Sequence, residues 1–182
     1  MNCVLILGTA HKGRYSEKVA RFLERRIKER GDWDIDFLDV AELTRQATGS
    51  VIERDAELKS ILKNADAYII VSPEYNRGYP GELKLFLDSF YREYTARPVG
   101  FCGVSSGSIG GARAVEQLKL VSLDLNFIPI HTHLYVGRVQ DMVAADGVFD
   151  STSIDSDVDA FLNELSMYAH HLVPLRDALM GE

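Results

Sequence analysis

Cysteine is scarce in this chain, because only two of its 182 residues, Cys3 and Cys102, are of this type. Each lies inside a short apolar run that reads as a buried strand, where a free thiol behaves as a small apolar side chain. We therefore expect two buried free thiols and no disulfide framework of the kind that supports small secreted proteins.

The sequence also lacks an excess of basic residues and any long apolar run. The 20 Lys and Arg residues face 27 Asp and Glu residues, and the net charge of −7 disfavours nucleic acid and anionic membranes as partners. No apolar run approaches the roughly 18 residues of a membrane span, and the first residues have neither the basic nor the long apolar region of a signal peptide. These absences predict a cytoplasmic protein.

What is present is a repeated alternation of buried strands and amphipathic helices. With 46% hydrophobic residues, the chain fits a single globular domain over residues 1–182. Connections too long for hairpins indicate an α/β fold, with a five-stranded parallel sheet, helices on both faces and the common order 2-1-3-4-5. The predicted strands are 3–7, 34–38, 67–71, 99–104 and 127–130, and the predicted helices are 16–30, 52–64, 82–94, 112–125 and a last helix that ends near Pro174.

The loop after the first strand, residues 8–16, combines hydroxyls and cationic groups at the start of a helix. Such a helix terminus presents unpaired amides to an anion, so His11, Lys12 and Arg14 favour a phosphate ligand. The loop matches neither the dinucleotide fingerprint nor the nucleoside-triphosphate loop. Asp39, at the end of the second strand, nevertheless leaves a ribose-binding role in a dinucleotide site open.

Two further loops are predicted to share the same edge of the sheet. In residues 72–81, Pro73, Tyr75 and Tyr79 offer flat surfaces, and neighbouring polar groups can bond the edge of a planar ring. The small residues at 105–111 allow backbone amides to approach a ligand closely. A heteroaromatic ligand at the carboxyl ends of the strands is therefore plausible on chemistry alone.

The segment Ser72-Pro-Glu-Tyr-Asn-Arg-Gly-Tyr-Pro-Gly-Glu-Leu-Lys84 resembles the signature of the NAD(P)H-dependent FMN reductase family, which includes quinone, azo and chromate reductases. The first loop and Ser105-Ser-Gly-Ser-Ile-Gly-Gly-Ala-Arg113 extend the resemblance. It implies a flavodoxin-like three-layer sandwich, FMN as cofactor, NAD(P)H as co-substrate, and a homodimer or homotetramer.

The resemblance also implies a set of FMN-binding residues. The residues around the phosphate would be Thr9, His11, Arg14, Tyr15 and Ser16. The residues that border the isoalloxazine and the phosphate would be Pro73, Glu74, Tyr75 and Asn76. The residues at the polar edge of the ring would be Ser105, Ser106 and Gly107. Family members commonly have Gly-Ser-x-Arg and a second serine three residues later, where this chain has Thr9, His11 and Arg14. Histidine holds a phosphate less firmly than arginine near neutral pH, so FMN affinity depends on compensation nearby.

The function expected from these features is electron transfer through bound FMN from NAD(P)H to a quinone, free flavin or azo compound. The flavin supplies the chemistry, so no catalytic side chain is predicted. A non-enzymatic electron carrier or redox-sensing flavin module is the alternative. A metal site at His131 and His133 is a third reading, but two residues do not make a site, and we expect structural or surface histidines. Leu85 and Tyr91 lie off the apolar stripe of their predicted helix, which suggests a partner surface.

Overall fold

A computed structural model describes residues 1–43 and 56–181. The strands are β1 (Asn2–Leu7), β2 (Asp34–Asp39), β3 (Ala67–Pro73), β4 (Pro98–Val104), β5 (Ile128–Pro129) and β6 (Leu134–Val136). The helices are α1 (Tyr15–Arg30), α2 (Val40–Leu43), α3 (Ala56–Asn64), α4 (Gly81–Asp88), α5 (Ala112–Asp124) and α6 (Asp155–Met180). Among these elements, strands alternate with helices from β1 to β5 except where α2 and α3 follow each other, and 3₁₀ turns lie at Arg92–Tyr94 and Val139–Met142.

The sheet is parallel and has the order β2-β1-β3-β4-β5, which confirms the predicted flavodoxin-like arrangement. β6 also pairs in parallel with β4, beyond the point where β5 ends. The predicted fifth strand 127–130 is therefore replaced by two shorter strands on the same edge. Pro129, which has no amide to donate to a ladder, ends the first of them.

Two apolar cores lie on the two faces of the sheet, because successive residues of a buried strand point to opposite sides. On one face, Leu5 and Ile69 pack with the buried sides of α1 and α6. On the other, Ile6 and Ile70 pack with α3, α4 and α5. Each central strand is thus buried on both faces, which explains its continuous apolar sequence.

Two predicted helix ends were wrong. The helix expected over 82–94 ends at Asp88, where the Ser89 hydroxyl bonds the Leu85 carbonyl at 2.7 Å and the chain turns. The last helix does not end at Pro174 but continues to Met180. Arg176 binds Asp66 at 2.9 Å, and this ion pair anchors the turns after the proline to the residue that precedes β3.

The predicted helix 52–64 is present from Ala56, and the preceding four positions lie outside the described residues. In the described ranges, no helix has both the length and the apolar character required to cross a membrane. Both thiols are free and buried, as predicted, and burial raises the pKa of Cys102 to about 12. Neither thiol is a candidate nucleophile, since the thiolate is the reactive form.

Candidate functional site

A cavity of about 540 Å³ lies at the carboxyl ends of β1, β3 and β4. It forms there because parallel strands end at one edge of the sheet, which brings together loops distant in sequence. We call it the rim cavity. Of the residues expected to surround FMN, it is lined by His11, Arg14, Tyr15, Ser16, Pro73, Glu74, Tyr75, Ser105, Ser106 and Gly107. Thr9 and Asn76 are not among its lining residues.

Thr9 is fully buried and serves as a link between two loops. Its hydroxyl lies 3.0 Å from the hydroxyl of Tyr75 and accepts a hydrogen bond from the His11 amide at 3.3 Å. The hydroxyl therefore holds the first loop against the third-strand loop, and the phosphate contact that the resemblance implies for Thr9 stays a prediction.

Arg14 lines the rim cavity, but its guanidinium is already engaged. It donates to the Thr9 carbonyl and to the Asp39 carboxylate, and its Nε lies 3.4 Å from Glu17. These bonds tie the first loop to the end of β2. They also occupy Asp39, which the alternative dinucleotide reading had assigned to a ribose.

Ser16 stands out because its hydroxyl is buried and unpartnered. The residue is 2% exposed, and its Oγ has no hydrogen-bond partner among the described residues. Ser16 lies in the first turn of α1, where backbone amides lack helical acceptors and the helix dipole favours an anion. A phosphate at this position would supply the acceptor that the hydroxyl lacks, so the donor set fits the phosphate of FMN.

The third-strand loop is braced from α5. Both oxygens of Glu74 accept hydrogen bonds from Arg113, one from its guanidinium at 2.9 Å and one from its amide at 3.1 Å. Glu74 is thereby held at the wall of the rim cavity. Arg113 lines the cavity too and was not predicted as a site residue, although it closes the segment 105–113 on which the resemblance drew.

Residues 75–78 form a tight turn with two positions in the left-handed region. Tyr75 and Gly78 exchange hydrogen bonds of 2.9 and 3.0 Å, while Asn76 and Arg77 have φ angles of 51° and 68°. Positive φ at both central residues defines a type I′ turn, for which Asn-Gly is the preferred pair. Asn76 suits its position, whereas Arg77 is strained there.

We expect Arg77→Gly to raise the free energy of unfolding by about 0.5 kcal/mol, since relief of left-handed strain exceeds the added entropy of the unfolded chain. Urea titration measures this change. Asn76→Gly is the matched control and should give no increase, because asparagine tolerates the left-handed region. A loss of stability in Arg77→Gly would contradict the assignment of strain to this residue.

The loop 105–107 faces the rim cavity with backbone that is fixed from behind. Gly107 accepts a hydrogen bond from the Arg138 amide at 2.9 Å, and Ser106 accepts one from the Gln140 side chain at 3.3 Å. In a trans peptide the amide points opposite to the carbonyl. The Gly107 amide is therefore directed away from Gln140, as a donor to a ligand edge requires.

Apolar side chains complete the lining of the rim cavity. Val104, Ile109 and Val139 belong to its wall, together with Gly13. Ile109 and Gly13 lie in the two segments that the sequence singled out, 105–113 and 8–16. No short motif marks Val139, which joins the wall only when β6 and the 3₁₀ turn at Val139–Met142 pack beside β4.

The histidines considered as metal ligands occupy different environments. His131 is exposed, whereas His133 is half-buried beside the Phe101 ring, with centroids 5.5 Å apart. Within residues 1–43 and 56–181, no group of three or more His, Cys, Asp or Glu side chains could hold a metal ion. Burial, aided by Lys119, lowers the pKa of His133 to about 4.

His133 should therefore make stability depend on pH. Because the unfolded chain binds this proton more readily, the free energy of unfolding should fall as pH drops from about 6.5 towards 4. Because His133 is partly exposed, we expect the free energy of unfolding to fall by only roughly 1–2 kcal/mol over this range. This decrease should be absent in His133→Gln. Urea titrations at pH 7 and pH 4.5 measure it, with the exposed His131→Gln as control. An unchanged pH dependence in His133→Gln would contradict this account.

Comparison with known proteins identifies the family of this chain. The family model described as NADPH-dependent FMN reductase matches residues 1–141. The chain is 24% identical over 177 residues to a 2-hydroxy-1,4-benzoquinone reductase of Burkholderia sp., covering 92% of this chain and 96% of that protein. It is 30% identical over 148 residues to an NADPH azoreductase of Bacillus sp., covering 78% and 80% of the two chains.

A solved structure shows the same fold. FerB, a flavoenzyme NAD(P)H:(acceptor) oxidoreductase from Paracoccus denitrificans, superposes with a TM-score of 0.72 at 24% identity, covering 92% of this chain and 98% of that chain. The family model spans β1 to β6, and therefore every strand whose end borders the rim cavity. This chain belongs to the NADPH-dependent FMN reductase family.

Proposed function

We propose that this protein holds FMN in the rim cavity, reduces it with NAD(P)H and passes the electrons to a quinone, free flavin, azo compound or similar small acceptor. Family membership makes the chain an FMN-dependent reductase, and the acceptor and the residues that hold FMN are the proposal. The unpartnered buried hydroxyl of Ser16 carries it, since this group is positioned for an anion that the protein itself does not provide.

The protein's own groups would bind and orient the cofactor. The Ser16 hydroxyl and the first amides of α1 would hold the phosphate, while Pro73 and Tyr75 provide flat walls for the ring. The Gly107 amide would donate to the polar edge of the ring. When bound, FMN supplies hydride and electron transfer. This transfer requires no acid, base or nucleophile of the chain, and the two buried thiols are not reactive ones.

The relatives support the choice of acceptor class. The Burkholderia protein is named for a benzoquinone and the Bacillus protein for azo reduction. Both acceptors are flat, conjugated molecules, and such molecules can stack over a flavin ring between aromatic walls. Tyr15 and Tyr75, which are 41% and 39% exposed, line the rim cavity and can serve as these walls.

A spectroscopic titration tests the proposed function. Purified protein is mixed with FMN without oxygen, and NAD(P)H should bleach the flavin absorption. Addition of a benzoquinone or an azo dye should restore it. Failure to bind FMN would overturn the proposal, and FMN binding without bleaching would indicate an electron carrier or redox-sensing module in place of the enzyme.

The proposal includes a cytoplasmic homodimer or homotetramer. Two free thiols suit a reducing compartment. Leu85 on α4 and Tyr91 in the turn after it are 42% and 52% exposed, and these are the two apolar side chains that the sequence marked for a partner. Light scattering should therefore give at least twice the chain mass, and a monomer at working concentration would contradict the assembly.

A further inference from the structure

A groove of about 500 Å³ runs beside α1 and adjoins the rim cavity. The two share Gly13 and Arg14 as lining residues, so the groove begins where the first loop ends. One wall is the outer side of α1, with Lys18, Arg21 and Arg25, and the other is the segment 147–149. We call it the α1 groove.

The groove is lined by four cations, Arg14, Lys18, Arg21 and Arg25, and lies on a basic segment of the chain. Residues 11–30 contain eight Lys and Arg against three Glu, a net charge of +5 in a chain of −7, so the other residues together carry −12. Such a local reversal of sign attracts an anion to one surface of an otherwise acidic protein. It extends well past the first loop, and the phosphate of FMN does not account for it.

The arginines of the α1 groove make only exposed contacts, and their guanidinium carbons lie 3.7 Å from the Phe37 ring centroid for Arg21 and 5.8 Å from the Phe22 ring centroid for Arg25. Arg21 lies 2.9 Å from Glu24 and Arg25 lies 3.9 Å from Glu29, and both arginine side chains are more than half exposed. Exposed pairs within one helix contribute little free energy, so a phosphate can compete for these cations. Among the described residues that line the groove, the single carboxylate is that of Glu17, which is paired with Arg14 at 3.4 Å.

The groove has a fixed shape and an apolar floor. Lys18 donates to the Gly147 carbonyl at 2.8 Å, which holds the two walls together. The rings of Phe22 and Phe149 lie in contact below, with centroids 5.4 Å apart, and Val148 is 57% exposed beside them. An apolar surface flanked by arginines matches a purine that carries a phosphate.

We infer that the α1 groove binds the phosphorylated adenosine half of NADPH, with Arg25 and Arg21 receiving the 2′-phosphate. This inference rests on the proposed function, in which the nicotinamide meets FMN in the rim cavity. Arg25 is ten residues from Tyr15, or about 15 Å along the helix axis. Two nucleosides joined by a pyrophosphate can bridge such a span. The groove thereby selects NADPH over NADH.

Fragment binding tests the groove without involving the flavin. Calorimetric titration should show that adenosine 2′,5′-bisphosphate binds about 10-fold more tightly than adenosine 5′-monophosphate, as one charge-assisted contact predicts. Arg25→Gln should remove most of this difference. Arg30→Gln, which neutralises an arginine of the same helix outside the groove, should retain it.

Kinetics provide the second readout. In Arg25→Gln, the KM for NADPH should rise about 10-fold while kcat and the KM for NADH stay within about twofold. Equal binding of the two fragments to the unmodified protein, or equal effects of Arg25→Gln and Arg30→Gln, would overturn the inference even where FMN is reduced normally. If neither nucleotide reduces FMN, the proposed function fails, and the fragment titration still decides the groove.

Discussion

Gly110→Ala is expected to lower the free energy of unfolding by roughly 3 kcal/mol or more, through combined backbone strain and overpacking. Gly110 has a φ of 59°, a conformation that costs an L-residue free energy. An added Cβ would also lie 2.5 Å from the carbonyl carbon of Tyr135. That neighbour is backbone of β6 and cannot rotate away, so the loop 105–111 must move from β6.

Gly110→Ala should weaken FMN binding in the rim cavity as well as lower stability. The reason is that β6 supports the loop through the hydrogen bond from the Ser105 amide to the Val136 carbonyl at 3.0 Å. Urea unfolding and FMN titration measure the two effects. Gly107→Ala is the control in the same loop, since its Cβ would meet only the Ser105 hydroxyl at 3.9 Å. Equal stability of the two variants would show that the close approach of Gly110 to β6 does not contribute to the free energy of unfolding.

Ser16→Ala should weaken FMN binding about 30-fold, the cost of one hydrogen bond to a charged group, and should leave riboflavin binding unchanged. Riboflavin is the matched ligand because it has the same ring system and no phosphate. The ligand-free protein should be as stable as before or slightly more stable, since the hydroxyl is buried and unpartnered.

Thr9→Val is the informative comparison for Ser16→Ala. Its hydroxyl is bonded to Tyr75 and to the His11 amide, so its removal should cost about 1–2 kcal/mol of stability in the ligand-free protein. Fluorescence titrations with FMN and riboflavin, together with urea unfolding, separate the two cases. Equal weakening of FMN and riboflavin in Ser16→Ala would show that this hydroxyl does not serve the phosphate.

Most of the fold could be predicted because its signal is local and repeated. Continuous apolar runs such as Ala67–Val71 require burial on both faces, and the connecting helices require parallel strands. The predicted ends were less secure. A proline such as Pro174 ends most helices, but this helix continues beyond it. The ion pair between Arg176 and Asp66 joins residues 110 positions apart, and no local pattern reveals such a contact.

The site was predicted in part for the same reason. Parallel strands end at one edge, so the loops at Gly8, Ser72 and Ser105 had to meet there, and the rim cavity lies where they do. Val139 could not be foreseen as part of its apolar wall, because it comes beside the loop 105–111 only through the short strand β6.

The sequence by itself determined the class of fold, the edge of the sheet where a ligand can bind, and the presence of hydroxyls and cations in the first loop. Only the tertiary structure decided which of those groups are free. Thr9 is bonded to Tyr75, 66 residues away, and Arg14 to Asp39, 25 residues away, whereas Ser16 has no partner among the described residues. A side chain's availability depends on what the folded chain brings beside it, and that information is not local.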